Sequence, residues 1–226
     1  MNTLNAAIPL LDHGFVRLVD SMGSDLSIVR NARCSYNAEW RTGEDAGKDE
    51  KLIHYLVKNK HTTPLECVTF TFDVKAPIFV FRQWHRHRTW AFNETSARYA
   101  EMADEFYVPE LNQITMQSAT NKQMRTQEQN VNAPEARRLI HDSCVKAFED
   151  YKRLVGMGVP RELARGVLPV NTYSHMFATV NLNNLFKFIE LRDHSHAQYE
   201  IQVYARAMRE LARSVCPVAV AALESV

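Results

Sequence analysis

The stretch VTFTFDVKAPIFVFRQWHRHR, residues Val68 to Arg88, changes its period midway, and that change decides the fold class. Val68, Phe70, Phe72 and Val74 alternate with Thr69, Thr71, Asp73 and Lys75, the two-residue period of a strand with one buried face. Pro77 then brings a fixed φ suited to a first helical turn, and Ile78, Phe81 and Trp84 or His85 recur on one side. The spacing predicts a helix from Pro77 to about His87, ending in the Arg-His-Arg cluster at a helix-to-loop junction. A strand feeding directly into a helix marks a chain that mixes both.

Outward from this stretch, GSDLSIVRNARCSY offers Asp25 as an N-cap with Leu26, Val29 and Ala32 at helical spacing, and KDEKLIHYLVKNK repeats the pattern with Leu52, Ile53, Leu56 and Val57. FYVPE reads as a short strand. The polar run over 112–132 has no period and reads as a mobile loop or lid. APEARRLIHDSCVKAFEDYKRLVGMG is a long helix ending at Gly156 or Gly158, Pro160 opens a short helix through Arg165, and TYSHMFATV is a strand. Asn181 can cap LNNLFKFIELR. Ala197, Ile201, Tyr204, Met208, Leu211 and Val215 form the stripe of a last helix, ended at Cys216-Pro217.

With 226 residues, 46% of them hydrophobic, the chain can bury a sizeable core, and with only seven glycines and eight prolines no linker divides it, so one domain over 1–226 is expected. A net charge of +1 argues against a nucleic-acid partner, which calls for a broad basic face. No apolar run reaches the roughly 20 residues of a membrane span. Four cysteines without CxxC spacing, and a start without a basic and apolar leader, point to free thiols in a reducing cytoplasm.

Arg86, Arg88 and Arg98, with Ser96 between them, put several forked donors around one turn, which suits a phosphate; ordinary surface ion pairs are the alternative. Trp90, Phe92 and Tyr99 add rings that could stack on a planar base or flavin. Two HxH pairs, His85/His87 and His194/His196, raise a metal hydrolase as an alternative. Read as helical, residues i and i+2 diverge by about 200° and share no metal, so no metal site is expected. Ser96 lacks a nucleophile-elbow setting, no cysteine sits in a motif with a histidine, and the GMG at Gly156–Gly158 is no dinucleotide-binding turn.

RHRTWAFNETSARY carries the RHR, seven residues, Ser pattern and the N-E-x-S-x-R-Y that follow one another in flavin-dependent thymidylate synthases, and the chain resembles that family. HTTPLE and DVKAPIFVFRQW before it, and FYVP, GVPRELARGVLP and LRDHSHAQYEIQ after it, resemble further family segments in the family's order, over roughly residues 13–220. The resemblance implies an α/β (α+β) fold with a mixed, largely antiparallel central sheet flanked by helices, assembled as a homotetramer with active sites between subunits. It implies FAD as resident cofactor, NADPH and 5,10-methylenetetrahydrofolate as co-substrates, and dUMP as the substrate converted to dTMP. Hydroxymethylation, or a regulatory nucleotide-binding relative, is the alternative.

Residue by residue, the resemblance implies that Arg86, His87 and Arg88 contact the flavin and that Gln83 and Arg86 approach a neighbouring subunit's nucleotide. Glu94 stands near both ligands; Ser96 and Arg98 match phosphate ligands within a substrate segment that includes Thr95 and Ala97; Arg165 matches another dUMP-binding arginine. Ser35, His61, Thr63, Glu66 and Asn181 line up with flavin positions, as do Asn183 and Lys187, where members vary. Arg192 matches the catalytic arginine that activates the uracil ring. Ala91 stands where many members have serine, and Cys67 where a histidine is common.

Overall fold

In the computed structural model, which describes residues 6–225, the chain begins β1 (Ile8–Leu10), β2 (Gly14–Met22), α1 (Asp25–Cys34), α2 (Ala46–Lys58), β3 (Thr69–Pro77), α3 (Ile78–Trp84) and β4 (Ala91–Glu94). It continues β5 (Thr115–Gln117), β6 (Arg125–Gln129), α4 (Ala133–Gly156), α5 (Arg161–Ala164), β7 (Tyr173–Asn181), α6 (Leu182–Arg192), α7 (Tyr199–Arg213) and α8 (Pro217–Glu224). Five strands form one sheet in the order β1-β2-β3-β7-β4, and every neighbouring pair is antiparallel. The expected antiparallel sheet is therefore present.

The alternation in β3 explains where the core lies. Its unbroken register with β7, from Thr69↔Asn181 to Pro77↔Tyr173, aligns Phe70, Phe72 and Val74 with Val180, Ala178 and Met176 on one face. These residues are buried together with Leu185 and Phe188 of α6 and Ile201, Tyr204, Met208 and Leu211 of α7. Each Val, Leu, Ile, Phe or Met side chain among them contributes about 1.5–3 kcal/mol on burial. The opposite face carries polar pairs: Asp73 is fully buried between Arg17 (2.6 Å) and His175, Thr71 bonds Thr179 at 3.0 Å, and Phe177 is 41% exposed.

A smaller cluster of Phe148 and Tyr151 from α4 with Ala164 of α5 packs against Met102, Phe106 and Leu168. Tyr151 also accepts the Met102 N–H at 3.2 Å. This cluster holds the chain around Met102 beside the segment around Leu168.

Four readings need correction. First, α3 stops at Trp84 rather than near His87, because Trp90 turns back edge-on against Trp84 (5.9 Å) while Trp84 stacks on Phe188 (4.8 Å). Second, Ser24, not Asp25, is the N-cap of α1. The Asp25 carboxylate instead accepts the Val218 and Ala219 N–H groups at 2.9 and 3.0 Å, capping α8, and burial raises its pKa despite those bonds. Third, FYVPE makes only one isolated bridge, Phe106↔Thr172, since the Val108 N–H goes to Asp12 instead (3.0 Å).

Fourth, the segment 112–132 is not structureless. It holds the β5–β6 hairpin, anchored by Arg125, whose Nη2 meets both oxygens of buried Glu200 at 3.1 and 3.0 Å and whose guanidinium lies over Tyr199. The β1–β2 pair and α8 have no counterpart among the elements read from the sequence.

Candidate active site

β4 follows the edge of β7 as far as Glu94↔Met176, after which the Thr95 N–H continues the ladder to the His175 carbonyl at 2.8 Å. The chain then turns at Ser96, whose carbonyl accepts the Tyr99 and Ala100 N–H groups and whose hydroxyl accepts the Arg98 N–H at 3.3 Å. Beside this turn opens a cavity of about 560 Å³. Glu94, Thr95, Ala97 and Arg165 line it, as the sequence led us to expect, and so do Arg82 and His85, which it did not. Spacing held the missing signal: Ile78 and Arg82 fall at i and i+4 on one face of α3, and His85, its C-cap, follows at i+7.

Charge gives the cavity its character. Arg82 and Arg165 are exposed and, among the described residues, have no carboxylate partner. Glu94 accepts a hydrogen bond from the Ser174 hydroxyl at 2.7 Å. Uncommitted guanidinium groups facing one space suit a phosphate, and an acceptor-only carboxylate suits a hydroxyl. Ser96 and Arg98 do not line the cavity; the Arg98 Nε lies 3.5 Å from Glu162 and its guanidinium over the Tyr99 ring.

A second group forms where the end of α6 meets the turn after α3. Arg192 Nε donates to His87 Nε2 at 3.0 Å and its Nη2 donates to the Gln83 carbonyl at 3.1 Å. Burial, reinforced by the Arg192 charge, holds the His87 pKa down to about 4, so the ring is neutral at pH 7 and Nε2 is a bare acceptor. The imidazole edge rests on Phe188 at 5.0 Å. The Gln83 side chain reaches away to Gln198 at 2.7 Å, tying this turn to the start of α7.

The third group gathers at the start of α6. Asn183 donates to Glu66 at 2.9 Å, with Thr63 opening the same short turn, and Lys187 is exposed one helical turn beyond Asn183. Asn181 spends its side-chain oxygen on the Asn184 N–H at 2.9 Å, capping α6. Arg86 and Arg88 are exposed with no carboxylate partner among the described residues. Ser35 is the C-cap of α1, and His61 meets Tyr55 edge-on at 5.4 Å; among the described residues neither side chain hydrogen-bonds another expected site residue. Ala91 is exposed opposite Thr179, and Cys67 donates to the Pro64 carbonyl at 3.1 Å.

By their chemistry these residues suit a flavin dinucleotide. Arg86, Arg88 and Lys187 supply uncommitted cations for a diphosphate, and Glu66 with Asn183 supplies an acceptor and donors for hydroxyl and ring edges. Both HxH pairs lie outside helices, contrary to the helical reading, and the His194 and His196 rings sit 4.8 Å apart. Among the described residues, however, no three His, Cys, Asp or Glu side chains gather as metal ligands. Burial pushes up the thiols of Cys67, Cys144 and Cys216, and no cysteine lines the cavity.

Residues 17–218 match the family model described as thymidylate synthase complementing protein. A flavin-dependent thymidylate synthase of Thermosipho melanesiensis is 45% identical over 208 residues, covering 92% of this chain and 89% of the relative. One from Thermus thermophilus is 46% identical over 217 residues, covering 96% of this chain and 78% of the relative. A crystal structure of the UMP/dUMP methylase PolB from Streptomyces cacaoi, bound with 5-Br dUMP, superposes with a TM-score of 0.86 at 37% identity, covering 96% of this chain and 97% of that one. No helix among the described residues is long and apolar enough to cross a membrane. The chain thus belongs to the family of thymidylate synthase complementing proteins, the flavin-dependent thymidylate synthases.

Proposed function

We propose that the protein methylates dUMP to dTMP reductively, with FAD as resident cofactor, 5,10-methylenetetrahydrofolate as one-carbon donor and NADPH as reductant. The observation that carries this reading is the seating of Arg192 between neutral His87 and the Gln83 carbonyl. Two of its five N–H groups are engaged, and three stay available for a ligand.

Uracil C5 is a poor nucleophile until the ring gains electron density. A thiolate adding at C6 is one solution, but the cysteines here are poorly placed for it. Arg192 offers another: its free N–H groups, set against N3 and an adjacent carbonyl, stabilise the anionic form of the ring without the guanidinium losing a proton. FAD, when bound, supplies the hydride chemistry that side chains lack. Arg82 and Arg165 neutralise the phosphate, Glu94 takes a sugar hydroxyl, and Gln83, Arg86 and Thr95 to Arg98 complete the nucleotide site. Arg86, His87, Arg88, Asn181, Asn183 and Lys187, with Ser35, His61, Thr63 and Glu66, hold the flavin.

A homotetramer with active sites between subunits fits this assignment. Arg82 and His85 face the cavity, whereas Gln83 and His87 serve Arg192, so a nucleotide that meets both groups is best spanned by two copies. The sheet face bearing exposed Phe177 is a surface on which copies could pack. Free cysteines suit a reducing cytoplasm.

The test is direct. The purified protein should be yellow, bleach with NADPH, and turn dUMP with the folate donor into a product of dTMP mass, with UMP assayed alongside. Arg192→Ala should keep the flavin and lose turnover. Colourless protein unable to take up FAD, or a hydroxymethyl product, would overturn the reading.

A further inference from the structure

We propose that Ser174 is a positioning residue, fixing the Glu94 carboxylate for a hydroxyl of the bound nucleotide; this rests on the nucleotide reading of the cavity. Ser174 is 5% exposed and lies on the cavity wall formed by β7. Glu94 sits opposite Met176, so Ser174, two residues along the same face of β7, is its diagonal neighbour and reaches it at 2.7 Å. Glu94 itself is exposed, and among the described residues no other side chain bonds its carboxylate.

The local backbone is already committed to this geometry. With the Thr95 N–H on the His175 carbonyl, residues 174–176 hold both the main chain and the side chain at this point. Left alone, a glutamate at a cavity mouth spreads over several rotamers and must be ordered by the ligand at an entropic cost. The Ser174 hydroxyl occupies Oε1 and leaves Oε2 without a side-chain partner among the described residues, on a cavity also lined by Arg82 and Arg165. Those two cations attract the phosphate and repel no hydroxyl, while the carboxylate repels the phosphate. The pair therefore sets which way round the nucleotide lies.

A double-mutant cycle on the flavin-loaded enzyme tests this. Ser174→Ala should weaken dUMP binding about fivefold to tenfold and raise KM for dUMP similarly, with kcat within about twofold. Ser174→Thr, which keeps the hydroxyl, should restore affinity. In a Glu94→Ala background, Ser174→Ala should add nothing, because its effect passes through the missing carboxylate. Should Ser174→Ala lose its flavin, Ser174→Cys, similar in size but a weak donor, carries the same comparison. Unchanged dUMP affinity in Ser174→Ala, or its full factor added on top of Glu94→Ala, overturns the proposal alone. Unchanged affinity in Glu94→Ala overturns the nucleotide reading and the proposal with it.

Discussion

His87→Ala should reduce kcat about 10- to 100-fold while leaving KM for dUMP within about threefold. The imidazole is one of two anchors on Arg192, bonded at 3.0 Å, and the Gln83 carbonyl at 3.1 Å is the other. A hydrogen bond from a charged group is worth roughly 1.5–3 kcal/mol, and 1.4 kcal/mol corresponds to about tenfold. Losing one of two anchors lets the guanidinium swing about the other, so a smaller share of complexes has it against the uracil edge. In the proposed arrangement the phosphate and sugar are held elsewhere, in the cavity lined by Arg165 and Glu94, so ground-state affinity should survive. Steady-state kinetics on flavin-replete protein, with FAD affinity measured separately, supply the readout. His87→Gln should recover part of the loss because its amide oxygen can accept from Nε. Because the His87 pKa is held near 4, well below the free value of 6.5, its ring stays neutral down to acidic pH. Kinetics between pH 6 and 8 should accordingly show no ionisation belonging to it. Wild-type kcat in His87→Ala, or a pH 6–7 ionisation that vanishes in His87→Gln, would refute the arrangement.

Arg165→Ala should weaken dUMP about 10- to 100-fold by calorimetry, as the loss of one charge-assisted phosphate contact, and unchanged binding would put the phosphate elsewhere. Asp25→Ala, which uncaps two N–H groups of α8, should cost about 0.5–2 kcal/mol and lower Tm by a few degrees. Because burial raises the Asp25 pKa above its unfolded value, ionising it opposes folding. The stability gained from its protonated form is present at low pH and is lost as pH rises through the folded pKa, and Asp25→Asn should remove that dependence.

β3 and β7 were legible because one strand face is almost wholly apolar: Phe70, Phe72 and Val74 alternate cleanly with polar residues. β2 hid because Phe15 and Val19 place apolar side chains on the open face too, which breaks the alternation of Val16 and Leu18. The β5–β6 hairpin has no apolar period at all; an ion pair of half-buried Arg125 with buried Glu200, 75 residues away, secures it, and no local pattern encodes such a partner. In the site, residue types and order marked Glu94, Arg165 and Arg192, whereas Arg82 and His85 were marked only by their helical spacing from Ile78 along α3 and its C-cap. The apolar spacing alone runs α3 on to about His87. Packing of Trp90 on Trp84 stops it three residues earlier.

Asn181 shows how one side chain can serve both the fold and the site. Its oxygen accepts the Asn184 N–H at 2.9 Å and starts the helix that carries Asn183, Lys187 and Arg192, so only its Nδ2 is free to meet a flavin. The two functions separate by substitution. Asp caps a helix about as well as Asn but has no amide to donate, whereas Ala does neither. Asn181→Asp should therefore keep Tm close to that of the unaltered chain and still weaken FAD, by the loss of a donor and by a new negative charge near a diphosphate. Asn181→Ala should lose about 1 kcal/mol of stability as well. If Asn181→Asp bound FAD with undiminished affinity, Asn181 would be a cap and nothing more, and its place in the site would follow only from the helix it begins.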